Sequence, residues 1–247
     1  MSKTKNSARA KRAIIIGVGP VEGLGARLAQ RFAAEGLHVI VAGRTGDHLE
    51  ALVKLIRDAG GSAASVVADA TREEDVLQLF DVAGEDLDLA IYNAGNNTPG
   101  RLVDMDAAYF ERAWRVGCYG GFLFGREAVR RMIPNGGGTL LFTGASASLR
   151  GRAGFGAFNA AKAGLRTLAQ AMAKEYAAEG VHVGHVVVDG AIGGDKIREA
   201  VPEYAEKLGE EGLISLDGIA DGYVFLYRQP PRAWTFEIDV RTSKERW

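Results

Sequence analysis

Gly17-Val18-Gly19-Pro20-Val21-Glu22-Gly23-Leu24-Gly25 follows the apolar run Ala13-Ile14-Ile15-Ile16 and opens a helical pattern that continues to Ala34. A strand, a glycine-rich turn and a helix in this order let the backbone approach a pyrophosphate closely, and the helix N-terminus then meets its negative charge. The familiar dinucleotide spacing would place a third glycine at position 22, which is Glu22; the glycines that do fall in sequence are Gly19, Gly23 and Gly25. Glycines are common in turns, so the trio says little alone. Its place between a strand and a helix makes it a candidate nucleotide loop.

Outward from that loop, apolar runs alternate with helical patterns: Leu24 to Ala34, His38 to Ala42, Leu49 to Ala59, Ala63 to Ala68, Leu87 to Tyr92, Ala108 to Met132, Thr139 to Phe142, Phe155 to Ala178, Val181 to Val188 and a last strand at Thr235 to Val240. Most strand runs are apolar throughout, as parallel strands covered on both faces must be. The expectation is an α/β fold with one doubly wound domain over 13–247 and a seven-stranded, mainly parallel sheet flanked by helices. Gly36 and Gly180 each close a helical pattern before a β-branched run, as C-terminal helix glycines do. Residues 189–216 break the rhythm, glycine-rich and then charged, and read as a lid over the site.

The chain of 247 residues carries 30 Lys plus Arg against 31 Asp plus Glu, a net charge of −1, so no overall field draws it to nucleic acid or a membrane surface. A small molecule is the expected partner. Cys118 is the sole cysteine, which excludes an internal disulfide and cysteine-based metal spacing; no metal is expected. Residues 1–12 are basic and polar where a signal peptide is apolar, and read as a disordered tail of a cytoplasmic protein.

Asp69 after the third strand, Asn93-Ala94-Gly95 after the fourth and Lys162 in the long helix before the sixth, in this order behind the glycine loop, make nearly the whole chain resemble the short-chain dehydrogenase/reductase family. The resemblance implies that Asp69 caps the adenine, that Asn93, Ala94 and Gly95 hold the sheet edge and line the nicotinamide side, and that Lys162 binds ribose hydroxyls. At the end of the second strand, Val41-Ala42-Gly43-Arg44-Thr45 offers no carboxylate for a ribose 2′-hydroxyl, while the planar fork of Arg44 suits a 2′-phosphate. Arg44 and Thr45 therefore point to NADP(H), with NAD(H) second. Glu22 dissents, standing where many NADP-using relatives carry a base.

At the chemical end the resemblance breaks. The family's proton-donating tyrosine, four residues before the lysine, is Phe158; its serine, thirteen residues earlier, is Ala145; its asparagine on the preceding helix is Gly117. Asp189-Gly190 stands for the usual proline-glycine. Ala145, Phe155 and Phe158 make an apolar substrate wall. Ser146, Tyr119 and Asp189 are the candidates for the missing polar chemistry beside Lys162, each with a plainer reading: Ser146 facing elsewhere, Tyr119 as packing, Asp189 as a turn residue. Cys118 reads as buried and inert.

Two functions are open on these residues. One is an oxidoreductase moving hydride to or from a small or medium apolar carbonyl, imine or activated alkene. The other is a catalytically impaired nucleotide-binding sensor or partner subunit. In the resembled family the helices around Ala108 to Met132 and Phe155 to Ala178 form a dimer face, which implies a homo-oligomer, dimer or tetramer. The aromatic C-terminal run of Trp234, Phe236 and Trp247 is expected to pack against the sheet or a second subunit.

Overall fold

The computed structural model describes residues 11–95, 97 and 99–245. Most of the basic N-terminal tail and Trp247 lie outside the described residues. Lys11 and Arg12, assigned to that tail by sequence, are instead tied down. Lys11 Nζ lies 2.9 Å from Asp88, and Arg12 begins the first strand with its guanidinium on the carbonyl of Ala83 at 2.8 Å.

The main sheet has the strands β1 (Arg12–Ile16), β2 (His38–Gly43), β3 (Ser62–Val67), β4 (Leu87–Tyr92), β5 (Gly138–Thr143) and β6 (Val181–Val188). After a small two-stranded ladder, β7 (Ala191–Ile192) with β8 (Leu213–Ile214), it is completed by β9 (Glu237–Val240). The seven strands of the main sheet lie in the order β3-β2-β1-β4-β5-β6-β9, and every pair is parallel. The order reverses beside β1, so a crevice opens between the carboxyl ends of β1 and β4, the place where such sheets take ligands.

Alternate residues of β1 explain the all-apolar strands. Ala13 and Ile15 belong to one buried cluster with α1 (Leu24–Ala34) and α9 (Leu216–Tyr227). Ile14 and Ile16 belong to a second, with α3 (Glu73–Ala83), α5 (Gly120–Met132) and α6 (Gly156–Tyr176). Neither face meets water, so neither can be polar. Gly36 (φ 90) and Gly180 (φ 85) take the left-handed conformation expected of them.

The long helix expected over Ala108 to Met132 is not continuous. It consists of α4 (Ala107–Trp114), a π-helical turn at Arg115–Tyr119 and α5. Residues 189–216 hold β7, α7 (Asp195–Ala200), α8 (Pro202–Gly212, broken at Gly209 with φ 64) and β8. At the C-terminal end Trp234 stacks on His182 at 5.0 Å and Phe236 stacks on His185 at 6.3 Å, so this part of the aromatic run packs on the sheet. Among the described residues no helix is long and apolar enough to cross a membrane.

Candidate functional site

At the nucleotide end, Gly17 (φ 89) lets the turn after β1 press against the turn after β4. A Cβ there would stand 2.4 Å from the Ala94 nitrogen. Asn93 locks the two turns together. Its Nδ2 donates to the Gly17 carbonyl at 3.1 Å, and its Oδ1 accepts from the Thr143 hydroxyl at 2.9 Å. Gly25 packs inward, where a Cβ would come within 2.8 Å of the Gly17 carbonyl. Gly19 differs, since a Cβ added there would meet nothing within 4 Å. At Gly23, the N-cap of α1, a Cβ would meet only the loop's own Pro20, and no side chain caps the first N–H groups of the helix. Open space before an uncapped helix start suits a pyrophosphate, so these residues fit a dinucleotide.

Gly43 is fixed by packing, because a Cβ there would stand 2.3 Å from the Val18 carbonyl. A carboxylate side chain at this position would push the glycine loop away. Arg44 and Thr45 follow, both exposed. Glu22, the dissenting acid, lies 3.6 Å from Arg27, on the first helix. Asp69 is partly occupied, its Oδ1 accepting from the Thr71 backbone at 2.9 Å and the Thr71 hydroxyl at 2.8 Å.

At the chemical end, Lys162 is 4% exposed and its Nζ donates to the Thr143 carbonyl at 2.7 Å. Gly95 leaves room for it, since a Cβ there would stand 3.2 Å from Nζ. Burial, with help from the charge of Lys196, brings the Lys162 ammonium down to about 8. The Phe158 ring lies beside it, 6.0 Å from Nζ, and cannot donate a proton. Ser146 begins a short 3₁₀ turn next to Ala145 and is half-buried. The buried Ser148 accepts from the Ala145 N–H at 3.2 Å. Phe155 is half-buried under the guanidinium of Arg152, 4.8 Å from its ring centre.

Two candidates have other partners. Gly117 faces α6, where a Cβ would come within 2.6 Å of the Ala161 Cβ, but Tyr119 belongs to an aromatic group with Trp114 (6.1 Å), Phe122 (6.2 Å) and the Arg115 guanidinium (5.0 Å). Asp189 is at the rim but engaged. It is 2% exposed, both its oxygens accept from Arg150 Nη2 at 3.0 Å, and Arg241 stands 3.6 Å away. Cys118 packs on Gly164, where a Cβ would be 2.9 Å from Sγ, and burial raises its thiol.

Sequence reading passed over Arg150, Tyr92 and His185. The Tyr92 hydroxyl donates to the Val116 carbonyl at 2.5 Å, inside the π-helical turn. His185, wholly buried, bonds Glu237 through Nδ1 at 2.9 Å. Its ring abuts Gly144, where a Cβ would lie 2.3 Å from both Cε1 and Nε2. Burial lowers its proton affinity to a pKa of about 4. A histidine pair, His182 and His185, inside a largely apolar strand run was the available signal.

The sheet order, glycine loop and buried lysine define a nicotinamide-type dinucleotide fold. The chain belongs to the short-chain dehydrogenase family, whose model matches residues 11–199. It is 32% identical over 183 residues to the cis-4-hydroxycyclohexanecarboxylate dehydrogenase of Sinomonas cyclohexanicum, covering 72% of this chain and 73% of that protein. Among solved structures it resembles a short-chain dehydrogenase from Rhodopseudomonas palustris (TM-score 0.79, 35% identity, covering 94% of this chain and 99% of that one). It also resembles a 7α-hydroxysteroid dehydrogenase held with NADH and 7-oxo glycochenodeoxycholic acid (TM-score 0.85, 27% identity, covering 94% of this chain and 93% of that one).

Proposed function

We propose that this chain is an NADP(H)-dependent oxidoreductase that interconverts a carbonyl and an alcohol, or reduces an imine or activated alkene, on a small or medium substrate with an apolar, ring-shaped body. The observation that carries the reading is Lys162, buried against the Thr143 carbonyl behind an intact glycine loop. A side chain this costly to bury is retained where its charge acts on something. The Sinomonas relative, whose name gives a hydroxycyclohexane substrate, supports the ring.

The coenzyme supplies or accepts the hydride. Gly19, Gly23 and Gly25 hold its pyrophosphate, Asn93, Ala94 and Gly95 line its nicotinamide side, Asp69 caps the adenine, and Arg44 with Thr45 selects the 2′-phosphate. Lys162 orients the ribose. Its ammonium, with a pKa of about 8, is also the group best matched to exchange a proton near neutral pH, through water or the Ser146 hydroxyl. In reduction the carbonyl carbon takes hydride and the oxygen takes that proton; oxidation reverses both. Ala145, Phe155 and Phe158 receive the apolar body. Residues 189–216 act as the lid, since the Asp195 N–H already reaches the Glu22 carbonyl of the glycine loop at 3.1 Å. The partly exposed Phe110, Trp114 and Phe122 mark the face of a homo-oligomer, dimer or tetramer, which sedimentation checks.

Parallel fluorescence titrations with NADPH and NADH test the reading, followed by coenzyme turnover with cyclic ketones. NADPH should bind more tightly, and Lys162→Met should weaken both binding and turnover. Tighter NADH binding overturns the coenzyme assignment. Binding without turnover across the panel overturns the reaction and leaves a sensor.

A further inference from the structure

The exits of β5 and β6 lie side by side, since Thr143 pairs with Val186. An ion pair spans them. Asp189, directly after β6, is 2% exposed, and its own N–H is tied to the Val240 carbonyl at 2.9 Å. Arg150 follows the 3₁₀ turn of Ser146–Ser148 and is 44% exposed. A buried carboxylate is costly unless paired, so Asp189 needs a guanidinium, and two approach it. Arg241 is shared with Asp239. Arg150 is used differently, because both contacts to Asp189 come from one nitrogen, Nη2. Its Nη1 and Nε edge is not consumed by that pair. Guanidinium carries five donors in a rigid fork, and a fork fixed at one prong presents the rest in a defined direction.

The surroundings say what those donors meet. Arg150 lies past the carboxyl end of β5, where ligands of such sheets bind, its backbone N–H on the Ser146 carbonyl at 3.1 Å, on the loop that leads to Phe155 and Phe158. The wall is apolar and the rim cationic, with Arg152 stacked on Phe155 in the same loop. The carboxylate of Asp189, which alone would repel an anion, is neutralised by its arginines.

We infer that Arg150, held at the rim by Asp189, anchors a carboxylate carried by the substrate. The inference rests on the oxidoreductase reading for what happens to that substrate, and adds that the substrate is an acid with an apolar body. Asp189 is then a positioning residue, acting through Arg150.

Calorimetric titration with cyclohexanecarboxylate and with cyclohexanecarboxamide, on the protein alone and saturated with NADPH, tests the anchor without turnover. The acid should bind roughly 10- to 100-fold more tightly than the amide, the range of a charge-assisted hydrogen-bond pair. Arg150→Gln should bring the acid down to the amide, while Arg150→Lys keeps part of the difference. The double variant Arg150→Gln/Asp189→Asn leaves no unpaired buried charge and should match the single variant, so misfolding cannot imitate the result. For turnover, the ratio of kcat/KM between 4-oxocyclohexanecarboxylate and its methyl ester should fall in Arg150→Gln. Equal binding of acid and amide by the unmodified protein, or an equal loss of both in Arg150→Gln, overturns the anchor. Selective acid binding without NADPH binding upholds the anchor and overturns the coenzyme reading, so the two fail separately.

Discussion

Gly19 at the nucleotide end and Gly117 and Gly144 at the chemical end do opposite work. At the nucleotide end Gly19 borders open space, and a Cβ would meet nothing within 4 Å. At the chemical end Gly117 and Gly144 are covered by protein, the first by Ala161 at 2.6 Å and the second by the His185 ring at 2.3 Å. Gly19 leaves room for a ligand, whereas Gly117 and Gly144 give their space to packing. The absence of a side chain at Gly117 and Gly144 is built into the contacts between α6, β6 and their neighbours.

The contrast is broken most directly at Gly144. Gly144→Ala should cost about 3 kcal/mol in thermal unfolding, the upper range of overpacking in a dense core, and adding His185→Ala should recover much of it. No recovery would mean that the ring is not what fills the space. A loss of similar size is expected from acid. His185 titrates near 4 when folded and near 6.5 when unfolded, so between these values the unfolded chain binds the extra proton. Stability is then fully present above pH 6.5 and falls toward pH 4, by up to about 1.4 kcal/mol per pH unit. Glu237, whose pKa is lowered by its bond to Arg166, acts in the same direction at the acid end. His185→Gln should flatten the slope, and an unchanged slope would place the sensitive group elsewhere.

The next effect is catalytic. Phe158→Tyr with Ala145→Ser restores a proton donor and a hydroxyl partner beside Lys162, and ketone turnover should rise about 100-fold; no rise would mean that the pocket no longer presents a carbonyl at that spot. Arg44→Ser should then weaken NADPH about 10-fold and leave NADH unchanged, by fluorescence titration. Smallest in stability is Gly19→Ala, which should shift the melting temperature hardly at all while weakening coenzyme binding several-fold. A large loss of stability there would erase the difference between the two ends.

The fold was legible because its signals are local. Four consecutive apolar residues, Ala13 to Ile16, already state that both faces of β1 are covered, and the loop after them states where the helix begins. Strand ends were placed within a residue or two for the same reason. The helix at Glu73–Ala83 was passed over, its first turn carrying Glu73, Glu74 and Asp75 ahead of the apolar residues. The short strands of 189–216 escaped because a ladder of two residues has no periodicity. The chemical end was legible in what it lacks and obscure in what replaces it. Asp189 was singled out, but Arg150 lies 39 residues before it, and only the pairing of β5 with β6 brings them together. Tyr119 shared a helical pattern with Gly117, and its turn toward Trp114 and Phe122 depends on the π-helical turn, which an ordinary helical period does not encode.

That turn also constrains what position 117 can hold. Its Val116 carbonyl is taken by the Tyr92 hydroxyl, the Tyr92 ring lies over Gly120, where a Cβ would be 2.4 Å from the hydroxyl oxygen, and Gly117 is closed by Ala161. An asparagine at position 117 would meet Ala161 of α6 before it could hold a water. The turn is thus closed on two sides, so a change of side chain at position 117 or 120 is coupled to its neighbours rather than independent of them.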